Sequence, residues 1–305
     1  MESAYCSLMT KSRLYQFLAL FVSLNKVRAG NFRFYVLCVD DETYHLLKKL
    51  NWGNLTVFQD KELGEDILAL KKERRIHEYC WTLKALFLEM VLTKYPELMR
   101  VTFMDSDLYF WDDPEIIFNK QPDCSVLLSR EEKYRPEWKP NFIKKVTKLT
   151  GEYNSGFISF KRDEMGIACL RWWKEQTLEA CRIDPRNGIF GDQKYLNEMP
   201  RVFSNICDIT TPGVNIGPWD YRKYTFSKKD DHVFINHIPL IFYHFSGVRI
   251  KKGDNGPEFV HECKVNTPFV FNHYQKMLSD LITIIKHLEP EFDGFATKED
   301  LQKYW

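Results

Sequence analysis

Short apolar runs and longer amphipathic stretches alternate along the N-terminal part of this 305-residue chain. The short runs predict strands, and stretches with apolar residues at i, i+3, i+4 and i+7 predict helices. The predicted strands are Ala4 to Met9, Phe32 to Val39, Leu55 to Phe58 and Val101 to Met104. The predicted helices are Ser12 to Lys26, Asp41 to Leu50 and Leu63 to Tyr95. This alternation predicts an α/β fold with parallel strand pairing.

After Trp111 the pattern loosens, and residues 183–222 are rich in Gly, Pro and Asn, as in loops that build a site. Strands are predicted over Ser125 to Ser129 and Tyr153 to Phe160, and near 224–227, 232–235 and 240–245. Helices are predicted over Asn141 to Leu149, Arg162 to Cys181, His273 to His287 and Thr297 to Trp305. We predict one compact domain over residues 1–265 and a helical extension over 266–305 that packs on it.

The helix predicted from His273 to His287 has one apolar stripe, which includes Tyr274, Leu278 and Ile285. We expect this stripe to pack on the domain or on another subunit in a homo-oligomer. The alternative is peripheral contact with a membrane surface, although the segment is not basic enough to favour it.

Composition is typical of a soluble, cytoplasmic enzyme. The net charge of +1 gives no support for a nucleic-acid partner, which normally requires a basic excess. The eight cysteines are scattered, so we expect reduced core residues in a reducing compartment rather than disulfides. No segment is apolar over the ~18 residues of a membrane span. The apolar run Phe17 to Leu24 continues one face of a helix, and no cleavage site follows it, which argues against a signal peptide.

Two aspartates, Asp105 and Asp107, follow the predicted buried strand Val101 to Met104. Ligands of open α/β sheets bind just beyond the carboxyl ends of the strands. Carboxylates at i and i+2 of an extended chain point the same way, so both can reach one Mn²⁺ or Mg²⁺ ion. Asp107 is expected to be the stronger ligand, because Asp105 can instead reach a ribose. The alternative is a strand that ends in two solvated aspartates.

Lys84 lies within an apolar stripe of its predicted helix, with Cys80, Trp81, Phe87 and Leu88 at i±3 and i±4. An ammonium group is costly to bury there unless it is paired. A diphosphate at the neighbouring strand ends would be a suitable partner. The alternatives are that Lys84 extends to water along its stem or pairs with Glu89.

Four further positions carry candidate chemistry: Asn154 to Gly156, Asp192, His244 and Trp219. Asn154-Ser155-Gly156 opens a strand, where glycine permits close approach of a ligand and the polar side chains can bind sugar hydroxyls; the alternative is a simple turn or bulge. Asp192 follows a glycine-containing loop and is also a natural helix N-cap.

His244 ends an apolar strand and precedes a turn with Lys251 nearby, which suits a third metal ligand; imidazole matches Mn²⁺ better than Mg²⁺. A lone histidine in such a position is usually a core residue. Trp219 would stack on an acceptor sugar if it lines the cleft, or else it belongs to the core.

In chain order these segments resemble the GT-A glycosyltransferases, which use nucleotide-diphospho-sugars, and most closely the family-8 type. The matching motifs are Asp105-Ser-Asp107, Asn154-Ser-Gly156, Asp192-Gln193-x-x-Leu196-Asn197 and His244-Phe-Ser-Gly247. Lys194 stands where the family usually has a second acidic residue, and Lys251 comes one place later than the family's lysine. The resemblance implies a Rossmann-like, mixed and mainly parallel sheet flanked by helices.

The resemblance also implies metal-dependent transfer of a sugar from a nucleoside diphosphate, expected to be UDP, to a glycan, lipid-linked or protein acceptor with retention of configuration. Asp192 and Gln193 would be catalytic, and Asp105, Asp107 and His244 would hold Mn²⁺ or Mg²⁺. Residues assigned to the nucleotide-sugar are Thr10, Lys84, Asp105, Ser106, Asn154, Ser155, Gly156, Gly247 and Lys251.

Three other functions compete with this hypothesis. A sugar-1-phosphate nucleotidyltransferase would need a glycine-rich loop after the first strand, whereas Leu8 to Arg13 contains no glycine. A non-catalytic sugar- or partner-binding protein could share the fold. A glycoside hydrolase would use paired carboxylates without a metal.

Overall fold

The computed structural model describes residues 3–133, 138–220, 223–261 and 268–301, without the side chain of Pro268. Its strands are β1 Ser3–Met9, β2 Arg33–Cys38, β3 Leu55–Gln59, β4 Arg100–Met104, β5 Leu108–Phe110, β6 Val126–Arg130, β7 Tyr153–Lys161, β8 Ile183–Asp184, β9 Ile189–Phe190, β10 Ile206–Asp208, β11 Phe226–Lys229, β12 His232–Ile235, β13 Ile238–Pro239, β14 Phe242–His244, β15 Val248–Gly253 and β16 Gly256–His261.

The helices are α1 Leu14–Arg28, α2 Asp41–Leu50, α3 Glu65–Glu73, α4 Ile76–Lys94, α5 Glu115–Lys120, α6 Pro140–Thr150, α7 Glu164–Glu179, α8 Met199–Val202 and α9 Pro268–Leu288. Short 3-10 helices are formed by Lys11–Arg13, Asp60–Leu63, Pro185–Asn187, Gln193–Asn197 and Pro218–Asp220. Helix α2 has the predicted bounds because the Asp40 carboxylate accepts a hydrogen bond from Thr43 N at 2.8 Å and fixes its start.

The central sheet has seven strands in the order β10-β6-β7-β4-β1-β2-β3. Alternate residues of the strands enter two cores: Tyr5 and Phe34 face the helix α1 side, whereas Cys6 and Tyr35 face the helix α4 side. This two-sided burial is the reason for the nearly continuous apolar runs in the sequence. The predicted mixed α/β fold, mainly parallel and flanked by helices, is confirmed.

Strand β7 departs from the expected parallel pairing. It is antiparallel to both β4 and β6, with Met104 opposite Phe157. The start of β7 therefore lies beside the carboxyl end of β4. This reversal brings Asn154 to Gly156 to the same sheet edge as Asp105, whereas a parallel β7 would have placed them at the opposite edge.

Two helix predictions need correction. The stretch predicted as largely helical from Leu63 to Tyr95 divides into α3 and α4, because Arg74 is extended and its guanidinium donates to the carbonyl of Thr177 at 2.8 Å. Residues 297–301 form a turn, in which Thr297 N donates to Asp300 Oδ2 at 2.8 Å, rather than the predicted terminal helix. The remainder of that prediction, residues 302–305, lies outside the described residues.

The expectation that all cysteines are reduced is wrong for one pair. Cys124 and Cys207 form a disulfide, which joins the start of β6 to the edge strand β10. The two cysteines are 83 residues apart, and nothing in the sequence around either one indicates its partner. The free ones are Cys6, Cys38, Cys80, Cys169 and Cys181, whereas Cys263 lies outside the described residues.

Helix α9 packs against the domain rather than projecting from it. Its Tyr274 is fully buried and stacks on Phe245, with ring centroids 3.8 Å apart. The division into residues 1–265 and 266–305 stays a prediction. No helix in the described part of the chain has the length and apolar character that crossing a bilayer would require.

Candidate functional site

The two aspartates lie in a turn at the end of β4. Asp105 N donates to Gly156 O at 2.8 Å, and Leu108 N donates to Asp105 O at 3.3 Å. The segment is therefore a turn, not the extended chain that we expected from the sequence. Its carboxylates nevertheless converge, because the chain reverses around Ser106 before it enters β5.

His244 comes to this turn through strand pairing. Strand β14 is antiparallel to β5, and His244 is opposite Leu108. The next residue, Phe245, donates its backbone N–H to Asp107 O at 2.8 Å. This backbone hydrogen bond holds the two chain segments together. It thereby places the imidazole of His244 beside the carboxylate of Asp107.

Asp105, Asp107 and His244 form a group that can hold a metal ion. Nε2 of His244 lies 3.0 Å from Asp107 Oδ1 and 3.8 Å from Asp105 Oδ2. Three ligand atoms, one from each residue, lie within 4.8 Å of one another. Two carboxylates and an imidazole are suitable ligands for Mn²⁺, and the carboxylates also suit Mg²⁺. The donor set therefore fits a divalent cation.

The charges around Asp107 favour the ionised form of its carboxylate. Burial alone would raise the pKa of Asp107, but His244 and the cations Arg13 and Arg249 hold it well below its ordinary value. Burial alone would lower the pKa of His244, but Asp107 and then Asp105 raise it. An ionised Asp107 is the form that binds a metal.

A buried amide orients the histidine. Asn215 Oδ1 lies 3.2 Å from Nδ1 of His244, and Asn215 is only 2% exposed. Since Oδ1 only accepts hydrogen bonds, this contact favours the tautomer with the proton on Nδ1. Nε2 is then the ring atom that faces the two aspartates: its proton is shared with Asp107, and loss of that proton gives a lone pair for a metal.

Lys84 is buried between two carboxylates. Its Nζ lies 2.9 Å from Asp105 Oδ1, 3.3 Å from Asp192 Oδ2 and 3.2 Å from Ser155 Oγ. Burial alone would lower the pKa of Lys84, but Asp105 and Asp192 raise it, so the ammonium form persists. Both sequence alternatives are excluded. Lys84 is only 5% exposed, and Glu89 pairs with Arg171 and Lys174 instead.

The side chain of Asp192 faces Lys84 and does not cap the 3-10 helix Gln193–Asn197 that follows it. Its side chain makes no capping hydrogen bond, and it is 2% exposed. Burial raises the pKa of Asp192, which Lys84 opposes. The carboxylate thus belongs to the same ion-pair network as Lys84 and Asp105.

Gln193 is held by both ends of its amide. Nε2 donates to Thr150 O at 3.1 Å and to Glu131 Oε2 at 3.4 Å. Oε1 accepts from Ser155 N and from Asn154 Nδ2, each at 3.4 Å. These contacts set the orientation of the amide and join it to the start of β7.

Gly156 permits the close approach of these groups. A Cβ atom at this position would lie 2.4 Å from His244 Cε1 and 2.8 Å from Asp105 Oδ2. Nearby in β7, Asn154 Oδ1 accepts a hydrogen bond from Gly156 N at 2.9 Å, at the irregularity in the pairing of β7 with β6. A larger residue would displace the candidate metal ligands.

Trp219 contacts the candidate metal group through His244. Its ring meets His244 edge-on, with centroids 5.1 Å apart, and it is 7% exposed. Its Nε1 is buried and has no hydrogen-bond partner among the described residues. Next to it, burial raises the pKa of Asp220 to about 7.

The other predicted residues differ in their placement. Thr10 lies directly after β1, where its Oγ1 is 3.2 Å from Ser12 Oγ, and Gly247 lies in the turn between β14 and β15. Lys251 pairs with Glu258 across the β15–β16 hairpin, at 2.7 Å. Lys194 is directed away from Lys84 and donates to Lys148 O at 2.7 Å.

Four functional candidates were missed in the sequence: Arg13, Asn215, Asp220 and Arg249. Arg13 lies just beyond β1, at the same sheet edge as the aspartates, with Nη1 3.9 Å from Asp107 Oδ2. Arg249 could have been found, because it lies two residues before Lys251 on the same strand and so shares its face. Nothing in the local sequence marks Asn215 or Asp220.

The chain is similar in sequence to two Bacillus subtilis proteins over nearly its whole length. The chain is 48% identical to YfnF and 30% identical to YfnD, both of Bacillus subtilis (strain 168). The YfnF alignment covers 98% of this chain and 99% of YfnF, and the YfnD alignment covers 96% and 94%.

Among solved structures, the galactosyltransferase LgtC in complex with donor and acceptor sugar analogs superposes with a TM-score of 0.54 at 14% identity, over 91% of this chain and 95% of LgtC. This likeness concerns the fold. The model of the nucleotide-diphospho-sugar transferase family matches residues 32–217. The chain is therefore a member of the nucleotide-diphospho-sugar transferase family, a glycosyltransferase.

Proposed function

We propose that this protein transfers a sugar from a nucleoside diphosphate, UDP in the first instance, to a glycan, lipid-linked or protein acceptor, with retention of configuration. The observation that carries this proposal is the convergence of Asp105, Asp107 and His244 beside the buried Lys84 at one sheet edge. The three ligand atoms suit a divalent metal ion, and the ammonium group of Lys84 adds positive charge suited to a diphosphate.

Asp105, Asp107 and His244 would hold the cation. A bound Mn²⁺ or Mg²⁺ supplies positive charge that stabilises the departing diphosphate. Arg13 and Arg249 support the same assignment, because both contribute to holding the pKa of Asp107 low and so carry positive charge near the proposed phosphates. Lys251 reaches this region only if it leaves Glu258, so Arg249 is the better candidate for a phosphate contact.

Asp192 and Gln193 act on the sugar. Lys84 fixes the Asp192 carboxylate, which then accepts hydrogen bonds from sugar hydroxyls. Gln193 presents Oε1 next to Ser155 N and Asn154, where an amide oxygen can stabilise positive charge that develops at the anomeric carbon. Trp219 is assigned to the acceptor because its ring lies beside His244 and its Nε1–H has no partner among the described residues; the acceptor would have to reach this buried ring.

Retention follows from this allocation of roles. An inverting enzyme requires a general base for the acceptor hydroxyl. Asp192 is held in an ion pair with Lys84, so its carboxylate is not free to take the proton of the acceptor hydroxyl. The departing diphosphate would instead accept the proton from the acceptor.

A screen of nucleotide-sugars tests the donor. Each is added with Mn²⁺, and the melting temperature of the protein is recorded, because a ligand that binds only the folded state stabilises it in proportion to its affinity. We expect one UDP-sugar to give the largest increase and EDTA to abolish it. Proton NMR of the first product from a UDP-α-sugar then reports the linkage. An α linkage is expected; a β linkage, or full transfer activity in excess EDTA, would refute this scheme.

A further inference from the structure

Helix α6 differs from the other helices in what it exposes. Its apolar residues are Phe142, Ile143, Val146 and Leu149, and none of them is buried. Phe142 is 47% exposed, and its ring meets that of Trp138 edge-on, with centroids 5.0 Å apart. A helix with this apolar stripe usually buries it in the core. Here Phe142 is exposed, and the other three residues of the stripe are only half-buried.

The charge of α6 is also one-sided. Between Trp138 and Thr150 there are four lysines, all exposed, and no acidic residue: Lys139, Lys144, Lys145 and Lys148. None of the four forms an ion pair within the described ranges 3–133, 138–220, 223–261 and 268–301, whereas lysines elsewhere, such as Lys174 and Lys276, pair with carboxylates. Lys144 and Lys148 are four residues apart, a spacing at which like charges destabilise a helix.

The other exposed helices show that this combination is specific to α6. Helix α3 likewise leaves its apolar residues unburied, but its charges are mixed: Glu65, Asp66 and Glu73 accompany Lys71 and Lys72. Helix α9 exposes Ile284 and Leu288, but both of its lysines have partners: Lys276 pairs with Asp280, and Lys286 lies over the Phe295 ring. Among the helices that the structure describes, only α6 joins an exposed aromatic ring, that of Phe142, to a row of lysines without carboxylate partners.

We propose that α6 is a docking surface for an anionic lipid bilayer. Lysines beside exposed aromatic and aliphatic side chains are the composition of helices that lie in the membrane interface: the rings enter the headgroup region and the ammonium groups meet the anionic lipids. The charge of the helix is complementary to such a surface and not to a neutral one.

The position of α6 gives this surface a role in the proposed reaction. The carbonyl of its last residue, Thr150, accepts a hydrogen bond from Gln193 at 3.1 Å, and Lys194 donates to the carbonyl of Lys148. The helix is therefore joined directly to the segment that carries Asp192 and Gln193. Docking through α6 would hold that end of the site close to the headgroups, where a lipid-linked acceptor presents its sugar. The docking itself does not depend on the proposed transfer chemistry.

Flotation of the full-length protein with lipid vesicles tests the proposal. Vesicles of phosphatidylcholine alone are compared with vesicles that also contain phosphatidylglycerol, at low and high salt. We expect binding only to the phosphatidylglycerol vesicles and weaker binding at high salt, because the attraction is electrostatic. Equal binding to both vesicle types, or no binding to either, would overturn the proposal.

Two variants and one control locate the contact. Lys144→Gln with Lys145→Gln should weaken binding about twentyfold to thirtyfold, since each lysine near an anionic surface contributes about fivefold. Phe142→Ser should weaken binding at both salt concentrations. The matched control, Ile284→Ser with Leu288→Ser on α9, should bind as the unaltered protein does. Loss of binding in the control, or full binding by both α6 variants, would refute the assignment.

Competition with inorganic polyphosphate distinguishes binding to a membrane from binding to a soluble polyanion. We expect it to compete only weakly with vesicles, because it offers charge but no apolar interface for Phe142. Binding of polyphosphate that is unaffected by Phe142→Ser, together with no vesicle binding, would assign α6 to a soluble anionic partner and overturn the bilayer proposal. Donor binding measured on the same preparations is independent of either result, so failure of the docking proposal is distinguishable from failure of the proposed function.

Discussion

Asp107 Oδ1 lies 3.0 Å from Nε2 of His244, although the two residues are distant in sequence. The hydrogen bond from Phe245 N to Asp107 O, 2.8 Å long, fixes the two chain segments to each other. Because Asn215 occupies the other ring nitrogen, Nε2 of His244 is the atom directed at the carboxylates. The pair is arranged for a shared cation before any cation binds.

Asp107→Asn is expected to weaken Mn²⁺ binding more than about 100-fold, since loss of a supporting partner alone costs roughly 10–100-fold. The amide keeps the size of the side chain but removes its charge. Isothermal titration with Mn²⁺ measures the effect. The control Asp231→Asn changes an exposed carboxylate that pairs with Lys26, and it should bind Mn²⁺ normally. Equal affinities for both variants would exclude Asp107 as a ligand.

The same titration should depend on pH. A metal requires neutral imidazole. Burial lowers the pKa of His244, but Asp107 and Asp105 raise it above its ordinary value, so protons compete more strongly with the metal. We expect the affinity for Mn²⁺ to fall as the pH is lowered from about 8 to about 6. An affinity that stays constant over this range would show that His244 does not bind the metal.

Lys84→Met should destabilise the protein by about 3–5 kcal/mol, because the buried carboxylate of Asp192 loses its cation. The ion pairs with Asp105 and Asp192 account for this expectation: the lysine offsets two negative charges. Urea denaturation measures the free energy of unfolding. Donor affinity of the folded variant should also fall, by about 1–3 kcal/mol.

A double variant separates this effect from loss of packing. Lys84→Met combined with Asp192→Asn should recover a large part of the lost stability, because the buried uncompensated charge is removed as well. Lys174→Met, which breaks a partly exposed pair with Glu89, serves as the matched control and should cost at most about 1 kcal/mol. If Lys84→Met unfolds at the same urea concentration as the unaltered protein, the ion-pair account fails.

The fold was predictable wherever local pattern determines it. Helix α2 begins at its Asp40 cap and ends before Asn51, which adopts a left-handed conformation, and both signals are local. The direction of β7 was not predictable, since apolar periodicity reports burial but not the direction of a neighbouring strand. The same limit applies to Cys124 and Cys207, which are joined only because β10 pairs with β6.

The candidate site was likewise predictable from the sequence only in part. Asp105, Asp107 and His244 were grouped from their motifs, and the structure brings them together. Asn215 and Asp220 were missed, because their importance arises from burial beside residues far away in the chain. Lys194, which departs from the family pattern, is explained by its hydrogen bond to helix α6.

Asn215→Ala should lower the affinity for Mn²⁺ by roughly 10–100-fold without removing a ligand, because the imidazole of His244 loses the acceptor that fixes its tautomer. Asn215→Asp should retain most of the affinity, since a carboxylate also accepts from Nδ1. Titration of both variants with Mn²⁺ gives the comparison. Unchanged affinity in Asn215→Ala would mean that the contact does not orient the histidine.

Asp220→Asn should change how stability depends on pH. Burial raises the pKa of Asp220 to about 7 in the folded protein, whereas an aspartate in the unfolded chain titrates near 3.9. The folded state therefore holds an extra proton between these values, so this residue lowers the free energy of unfolding as the pH rises and reaches its full penalty above about 7.

An asparagine does not titrate, and its side-chain oxygen can still accept the hydrogen bond from Gly217 N, which Asp220 Oδ2 accepts at 3.1 Å. Between about pH 5 and about pH 8 the variant should gain about 2–3 kcal/mol of unfolding free energy relative to the unaltered protein. Urea titrations at several pH values measure this difference, and Asp254→Asn, an exposed turn residue, serves as the control with no such gain. Parallel pH profiles for Asp220→Asn and the unaltered protein would show that Asp220 is ionised in the folded state throughout, with a cation or a donor still to be found beside it.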